Sequence, residues 1–299
     1  MANRSDRSEA LQPRQQRIPI PPRYRRMVRD QVDRVVNLHK RLFTSAEASL
    51  PDCLIIGAQR AGTSSLYRNI LQHPDVGGAT RKEVHYFDLN HHQGPNWYRS
   101  FFPPPAAGSP RRLSVEATPY YLYHPAVPAR VKALLPEARL IALLRDPVER
   151  AWSEYLHARA SGEETLEFDA ALDAEEGRLR GEEARLAADP RYVSHAHRTH
   201  SYQSRGLYAR QLSRWLEHFP RERMLLLRAE DLYTDSAGVT RRVLDFLGLA
   251  ETPSIQPTWR NSTPDKSPMP DAARRRLQRR FEPANAELRA LAGPEFDWS

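Results

Sequence analysis

Short apolar runs recur along the chain, and helical patterns lie between them. Four of these runs are predicted to be β-strands: Cys53–Ile56, Arg112–Val115, Arg139–Leu144 and Met224–Leu227. The third run is short, apolar and bounded by arginines, as expected of a parallel strand that is buried on both faces. Strands that alternate with helices predict an α/β fold: a single domain with a central parallel sheet and helices on both faces.

Spacings of three and four residues between apolar positions predict the helices between and after these strands. Asp146 at the cap, Pro147 at the first helical position and Glu149 at the third form an N-terminal helix signature after the third strand. The polar segment 161–205 is predicted to be helix and loop rather than sheet. Further helices are predicted at 127–135, 208–219, 239–247 and 271–291.

The first 50 residues differ from the predicted domain, which spans 51–299. They contain 11 Lys and Arg residues against five Asp and Glu residues, so most of the formal net charge of +8 lies there. Residues 1–22 show almost no periodicity and are expected to be disordered. Residues 24–43 are predicted to form a basic amphipathic helix. Packing against the domain is its favoured role, and membrane contact is the alternative.

Composition narrows the class of protein. No apolar run approaches the roughly 20 residues of a spanning helix, and the N-terminus has no apolar stretch typical of a secretory signal, so a cytoplasmic protein is expected. The single cysteine, Cys53, excludes an intramolecular disulfide and a cysteine-based zinc site. The basic charge favours anionic partners, although a generally basic protein would show the same balance. No feature of the sequence indicates the oligomeric state.

The first strand leads into a glycine-bounded loop that is typical of a phosphate site. Gly57 and Gly62 are separated by four residues, and Thr63 and Ser64 follow where a helix is predicted to begin. Backbone N–H groups at a helix N-terminus bind phosphate. The nucleotide-binding P-loop has the same spacing but continues with Lys-Ser/Thr. Here the nearest cation is Arg60, inside the loop. The predicted fold therefore has a P-loop-like central sheet but lacks the lysine of the ATPases.

A second anion site is indicated where the third strand ends. Arg145 follows that strand, and Ser153 lies eight residues further on, in the second turn of the next helix. Arginine offers a planar fork of donors to a phosphate, and serine adds a hydroxyl. Alternatively, Arg145 pairs with Asp146 or Glu149 and Ser153 faces solvent. Because ligands bind at the carboxyl ends of parallel strands, both sites are expected in one crevice, which favours a nucleotide with phosphates at two ends.

The chain resembles sulfotransferases that use 3′-phosphoadenosine 5′-phosphosulfate, in the branch of the heparan sulfate enzymes and their bacterial relatives. IIGAQRAGTSSL resembles the family's 5′-phosphosulfate loop, and RDPVERAWSEY resembles its 3′-phosphate motif. KEVHYFD resembles the segment that carries the proposed catalytic glutamate, and RGLYARQLSRWLEHFP and the closing FDW also fit. The resemblance covers about 52–299.

The resemblance implies roles for individual residues. Glu83 would be the general base, with His85 and Asp88 orienting it or the substrate. Arg60 stands where the family usually has lysine, and it would stabilise the leaving phosphate electrostatically, because arginine does not readily release a proton. Donor binding is assigned to the loop, to the 3′-phosphate motif and to a late basic segment over the adenosine: Ala61, Gly62, Thr63, Ser64 and Ser65; Arg145 and Ser153; Arg260 and Lys266.

These residues predict a sulfotransferase acting on a hydroxyl, or alternatively an amine, of a carbohydrate, lipid or secondary metabolite. A P-loop kinase or nucleotide hydrolase and a non-catalytic nucleotide- or polyanion-binding protein are the alternatives. Ala117 stands where the carbohydrate enzymes often have lysine, so that substrate-side cation is missing. No metal is expected, because sulfuryl transfer needs none in principle. A weak candidate for a metal site is the group of histidines at His195, His197 and His200.

Two further patterns leave alternatives open. Arginines in the last helix suggest nucleic acid, but no zinc-finger, RNA-recognition or helix-turn-helix signature accompanies them, so no nucleic-acid partner is expected. Five aromatic residues are predicted either to line the acceptor site or to belong to the core: Trp97, Tyr98, Tyr120, Tyr121 and Tyr123.

Overall fold

A parallel sheet of five strands lies at the centre of the protein. The computed structural model describes residues 49–102, 104, 112–252, 255, 256 and 267–298. The strands are β1 Cys53–Gly57, β2 Val76–Gly78, β3 Leu113–Ala117, β4 Arg139–Leu144 and β5 Met224–Arg228. All of β1 is buried, and since successive side chains point to opposite faces, both faces of the sheet are covered, as predicted.

The strand order is β2-β3-β1-β4-β5, and every pair is parallel. Ile55 of the central strand β1 lies opposite Ala117 of β3 and Ile141 of β4. The chain builds one side of β1 with β2 and β3 and then crosses to the other side with β4 and β5. In open parallel sheets such a reversal leaves a crevice at the carboxyl ends of the strands, where ligands bind.

Helices flank the sheet, and each helix predicted within the described residues is present with its ends within a few residues. The α-helices of the described residues are α1 Thr63–Ile70, α2 Pro95–Arg99, α3 Val127–Leu134, α4 Pro147–Ala160, α5 Phe168–Leu179, α6 Glu182–Ala188, α7 His195–Thr199, α8 Tyr208–Leu216, α9 Ala229–Thr234, α10 Ser236–Leu247 and α11 Asp271–Ala292. Short 3₁₀ turns occur at His91–Gln93, Pro119–Leu122, Ser204–Gly206 and Arg221–Arg223.

Two clusters of buried apolar side chains hold these elements together. The larger one joins the sheet to α1, α8 and α10, with Leu66, Trp215 and Val243 among its members. The smaller one joins α4, α5 and α11, where Tyr155 and Phe281 are buried. Because α4 begins at the crevice and is packed by the second cluster, its first two turns are fixed relative to the strand ends.

Two details differ from the prediction. The three-residue strand β2 was not predicted, because Val76–Gly78 is too short to show a period and lies at the sheet edge. Asp146 caps α4 as predicted, accepting a hydrogen bond from the Val148 N–H at 2.8 Å. Its own N–H, however, donates to Glu230 at 2.9 Å, and Glu149, the third residue of the predicted signature, pairs with Arg274 at 2.6 Å.

Candidate active site

The segments that follow β1, β3 and β4 meet at one edge of the sheet. The N–H of Ala58 donates to the Leu143 carbonyl at 2.6 Å, and the N–H of Thr118 donates to the Ile55 carbonyl at 3.2 Å. These bonds join the loop after β1 to the ends of β4 and β3. The single crevice expected from the sequence is therefore present at the carboxyl ends of the central strands.

The loop at 57–62 delivers uncapped N–H groups into this crevice. Gly62 is the N-cap of α1 with φ 93°, a left-handed conformation that glycine adopts without strain, and no side chain caps the helix. Within the described residues no acceptor is found for the N–H groups of Gly62, Thr63 and Ser64, whereas Ala61 donates to Ala58 and Ser65 donates to Gly62. Unpaired N–H groups at the start of a helix suit an anion.

The two predicted anion sites are in direct contact. Nε of Arg60 donates to Oγ of Ser153 at 3.2 Å, across 93 residues of sequence. Nη1 of Arg145 donates to the carbonyl oxygen of Arg60 at 3.1 Å, and its Nη2 lies 3.9 Å from Glu149. Ser153 is buried and does not face solvent. We call the loop 57–65 together with Arg145 and Ser153 the donor side.

The donor side carries more positive than negative charge. Behind Arg60, the buried Arg150 pairs with Glu154. Burial lowers the pKa of the Arg60 guanidinium; nearby Glu154 opposes this shift, and Arg145 and Arg150 add to it. Arginine nevertheless stays charged in proteins. Several guanidinium groups close to one another attract an anion to this part of the crevice.

A second group of candidate residues lies on the irregular segment 83–88, beside the end of β3. The N–H of Glu83 donates to the Ala117 carbonyl at 3.1 Å, and the N–H of His85 donates to Oγ1 of Thr118 at 3.5 Å. Glu83 and His85 have φ values of 60° and 56°. Together with Arg60 at φ 69°, they are the non-glycine residues with positive φ in the described chain. Such conformations concentrate at functional sites.

His85 lies between two carboxylates. Its Nδ1 is 2.6 Å from Oδ2 of the buried Asp88, and its Nε2 is 3.6 Å from Oε2 of Glu83. Burial would lower the pKa of His85, but Asp88 and then Glu83 outweigh it and raise the pKa to about 9. The imidazole is therefore protonated at neutral pH. We call the segment 83–88 with Ala117 and Thr118 the acceptor side.

Glu83 is the most exposed member of the acceptor side. Its side chain is 45% exposed and lies 2.6 Å from Nζ of Lys82. Desolvation would raise the pKa of Glu83, but the contacts with His85 and Lys82 lower it to about 2. A carboxylate that is ionised and open to solvent has a lone pair available to accept a proton from a ligand hydroxyl.

One residue near both sides was missed from the sequence. His157 lies one turn after Ser153 on α4, and its imidazole interacts electrostatically with Arg60 and with Glu83. Burial and then Arg60 lower its pKa, whereas Glu154 and Glu83 act in the opposite direction. The spacing of four residues from Ser153 was a usable signal, since positions i and i+4 share one face of a helix.

The five aromatic residues belong to the core rather than to an open wall. All five are buried, and the hydroxyls of Tyr98 and Tyr121 donate to the buried Glu116. Burial raises the pKa of Glu116 even though these hydroxyls and that of Thr118 stabilise its charge. Glu116 therefore supports the backbone beneath the acceptor side and does not reach solvent.

The remaining predictions concern residues away from the crevice. Cys53 is buried in β1, and burial raises the pKa of its thiol. His195 pairs with Glu163 at 2.7 Å, whereas His197 is buried. No three His, Cys, Asp or Glu residues in the described ranges are grouped so as to hold a metal ion. Arg260, Lys266 and the predicted helix at 24–43 lie outside the described residues.

No helix among the residues that the structure describes is both long and apolar enough to cross a bilayer.

The chain is similar to known proteins. A family model described as a sulfotransferase domain matches residues 50–268. Heparan sulfate glucosamine 3-O-sulfotransferase 3A1 of Mus musculus is 35% identical over 208 residues, which cover 70% of this chain and 48% of the relative. The human bifunctional heparan sulfate N-deacetylase/N-sulfotransferase 3 is 34% identical over 210 residues, 67% of this chain and 22% of the relative.

The chain spans about half the length of the mouse 3-O-sulfotransferases that it matches. The crystal structure of a sulfotransferase from Alicyclobacillus acidocaldarius superposes with a TM-score of 0.65 at 29% identity, covering 81% of this chain and 96% of that one. The family match includes the loop after β1, the segment 83–88 and the start of α4, which are the three elements that meet at the crevice. The chain therefore belongs to the sulfotransferase family.

Proposed function

We propose that this protein transfers a sulfuryl group from 3′-phosphoadenosine 5′-phosphosulfate to a hydroxyl group of a carbohydrate. The observation that carries this proposal is the hydrogen bond from Arg60 to Ser153, which joins a helix-N-terminal anion site to a second, arginine-based anion site. A nucleotide with one terminal phosphate would need only the first of these. A donor with phosphates at both ends uses both.

The residues of the donor side fit such a ligand. The N–H groups of Gly62, Thr63 and Ser64 would donate hydrogen bonds to the 5′-phosphosulfate, aided by the exposed hydroxyl of Ser64. Arg145 and the hydroxyl of Ser153 would bind the 3′-phosphate through charge-assisted hydrogen bonds. The N–H groups of Ala61 and Ser65 are already engaged within the backbone, so their contribution is the smaller one.

Glu83 is proposed as the general base. It is ionised at neutral pH, exposed to a ligand and held at the end of β3 by its backbone N–H. With a pKa of about 2 it is a weak base while Lys82 and His85 both contact it. Replacement of the Lys82 contact by an acceptor hydroxyl would make the carboxylate more basic at the moment when it takes the proton. Asp88 would keep His85 charged and in place.

Arg60 is proposed to act electrostatically. The donor supplies the sulfuryl group, and negative charge grows on the phosphate that leaves. A guanidinium placed at the phosphate loop stabilises that charge without giving up a proton. Alignment, a base and positive charge are the needs of this chemistry, by analogy with phosphoryl transfer.

A carbohydrate is the favoured acceptor because the matched relatives are named as sulfotransferases of heparan sulfate. The buried Ala117 occupies the position where lysine is frequent, so the acceptor side has one cation fewer than expected for a heavily sulfated chain. His157 interacts electrostatically with both Arg60 and Glu83, and we propose that it lies beside the acceptor. A hydroxyl on a moderately charged saccharide fits these features.

Two measurements test the proposal. Adenosine 3′,5′-bisphosphate should raise the melting temperature of the protein in a concentration-dependent way, because a ligand that binds only the native state stabilises it, and ATP-Mg²⁺ should do so far less. Equal or reversed preference would favour a P-loop kinase or hydrolase instead. Labelled donor with glucosamine-containing oligosaccharides should then give a sulfated product. Bisphosphate binding without transfer to any saccharide, lipid or small-molecule acceptor would indicate a non-catalytic binding protein.

A further inference from the structure

Arg205 is a buried arginine that touches elements of both anion sites without belonging to either. It lies in the 3₁₀ turn Ser204–Gly206 between α7 and α8, and only 3% of it is exposed. Its guanidinium donates to the side-chain oxygen of Gln59 and, at 2.9 Å, to Oε1 of Glu154. Gln59 immediately precedes Arg60 in the phosphate loop, and Glu154 immediately follows Ser153 in α4.

These contacts close a ring across the crevice. Arg205 bonds to Gln59, the next residue Arg60 bonds to Ser153 at 3.2 Å, and the residue after Ser153 returns to Arg205. The phosphate loop and α4 are therefore linked at two adjacent levels, once by Arg60 and once by Arg205. The Arg205 link lies beneath the surface, so water does not compete for it as it does at an exposed pair.

Arg205 is itself held from several directions. Its Nη2 donates to the carbonyl oxygens of His197 and Arg198 at 2.9 and 2.6 Å, and its own carbonyl accepts from Nε2 of Gln211 at 2.9 Å. The turn also touches α4, because a β-carbon added at Gly206 would lie 2.9 Å from Cβ of Pro147. Because the backbone around Arg205 is held in this way, its planar guanidinium can fix the positions of the groups that it binds.

The same guanidinium reaches toward the residues beneath the acceptor side. Its central carbon lies 5.2 Å from the ring centroids of both Tyr120 and Tyr123, within the range of cation–π attraction. These tyrosines belong to the segment that follows β3 and Thr118. Arg205 thus connects the ends of β1 and β3 with the start of α4.

We infer that Arg205 is a positioning residue that fixes the spacing between the phosphate loop and α4, and hence between the two phosphates of the nucleotide. This inference rests on the proposed function, since it concerns a ligand with phosphates at both ends. Two sites held at the correct spacing allow one ligand to bind both with little further loss of entropy. Without Arg205 each site persists, but the two no longer hold that spacing.

The test compares three ligands by calorimetric titration: adenosine 3′,5′-bisphosphate, adenosine 5′-phosphate and adenosine 3′-phosphate. In wild type the bisphosphate is expected to bind more tightly than either monophosphate. In Arg205→Met we expect its affinity to fall about tenfold or more, while each monophosphate stays within about twofold, because only simultaneous binding depends on the spacing. Glu154 keeps its pair with Arg150 in this variant, so no buried charge is left unpaired.

Two further variants keep the test decisive. Gln59→Met removes only the contact of Arg205 with the loop and is expected to reproduce the selective loss even if Arg205→Met folds poorly. Arg178→Met is the matched control: it breaks another arginine pair with a buried glutamate, Glu164 at 2.6 Å, and should leave the three affinities unchanged.

Equal weakening of all three ligands in Arg205→Met and Gln59→Met would show a general structural role and overturn the inference. Unchanged bisphosphate affinity in both variants would overturn it as well. A wild-type protein that does not prefer the bisphosphate over the monophosphates would instead overturn the proposed function itself, and the positioning role with it.

Discussion

The donor side and the acceptor side of the crevice differ in the sign of their charged groups and in whether those groups titrate. On the donor side, Arg60 and Arg145 stand beside unpaired N–H groups, and Arg150 lies behind them. On the acceptor side, Glu83 and the buried Asp88 flank one protonated histidine. Fixed positive charge binds an anion without changing its own protonation state, whereas a carboxylate coupled to a histidine can accept a proton. The difference predicts which substitutions affect binding and which affect chemistry.

The two sides also differ in how their backbones are held. The donor side is formed by the ends of regular elements, β1 with α1 and β4 with α4. The acceptor side is an irregular segment that is joined to the end of β3 by the backbone N–H groups of Glu83 and His85. A helix N-terminus keeps its geometry when one side chain changes. The acceptor side depends on each of its contacts and should be the more sensitive of the two.

The largest effect is expected on the acceptor side, from Glu83→Gln. An amide has nearly the same shape as the carboxylate but cannot take a proton, so kcat should fall by about 10²–10⁴-fold. The affinity for adenosine 3′,5′-bisphosphate should change by less than about twofold, since Glu83 is not on the donor side. Glu163→Gln, an exposed glutamate paired with His195, is the control and should retain full activity. Near-normal turnover in Glu83→Gln would remove this residue as the base.

A smaller effect of a different kind is expected on the donor side, from Arg145→Ala. Loss of a charged donor to a phosphate should weaken bisphosphate binding by about 10–100-fold, following the roughly 1.5–3 kcal/mol of a hydrogen bond to a charged group. Calorimetry measures this directly. Arg223→Ala, which removes an exposed arginine paired with Glu137, should have no effect on the affinity. If Arg145→Ala lowered only the turnover and left the donor affinity unchanged, the assignment of binding to the donor side and of chemistry to the acceptor side would be wrong.

Asp88→Asn tests how the acceptor side controls protonation. Because Asp88 is the main group that raises the pKa of His85 to about 9, its removal should lower that pKa by at least about one unit, as followed by NMR titration of the imidazole.

Stability should change accordingly. A raised histidine pKa stabilises the native state fully below the ordinary pKa of about 6.5, and this contribution is lost as the pH rises through about 9. Denaturant unfolding at pH 6 and pH 10 should therefore show a larger decrease with pH in wild type than in Asp88→Asn. An unchanged titration of His85 would mean that Asp88 is not its partner in solution.

The smallest effect is expected from Arg60→Lys. Lysine keeps the positive charge and meets the same backbone conformation at φ 69°, but it loses the Nε donor to Ser153. Turnover should stay within about tenfold if the residue acts only through its charge. A loss of turnover beyond about 100-fold would show that the planar guanidinium itself is required. Arg60 would then act through the geometry of its donors, as Arg145 does, and not through its charge alone.

The sequence predicts the donor side more completely than the acceptor side. The spacing Gly57 to Gly62 and the Asp146-Pro147 signature are local signals, and the loop, α1 and α4 formed where these signals predicted. The acceptor side was reached only through a resemblance to known sulfotransferases, because no periodicity marks the segment 83–88. His157 was not predicted to lie at the site, although it shares a helix face with Ser153.

The sequence by itself determined the elements: which runs are buried strands, where helices begin, and which loop presents bare N–H groups, since short-range sterics and capping decide these. Only the tertiary structure decided that Arg60 meets Ser153, that the aromatic residues are core, and that Arg205 joins the loop to α4. Those contacts link residues that are far apart in sequence. They depend on how the elements pack, and no local pattern encodes that packing.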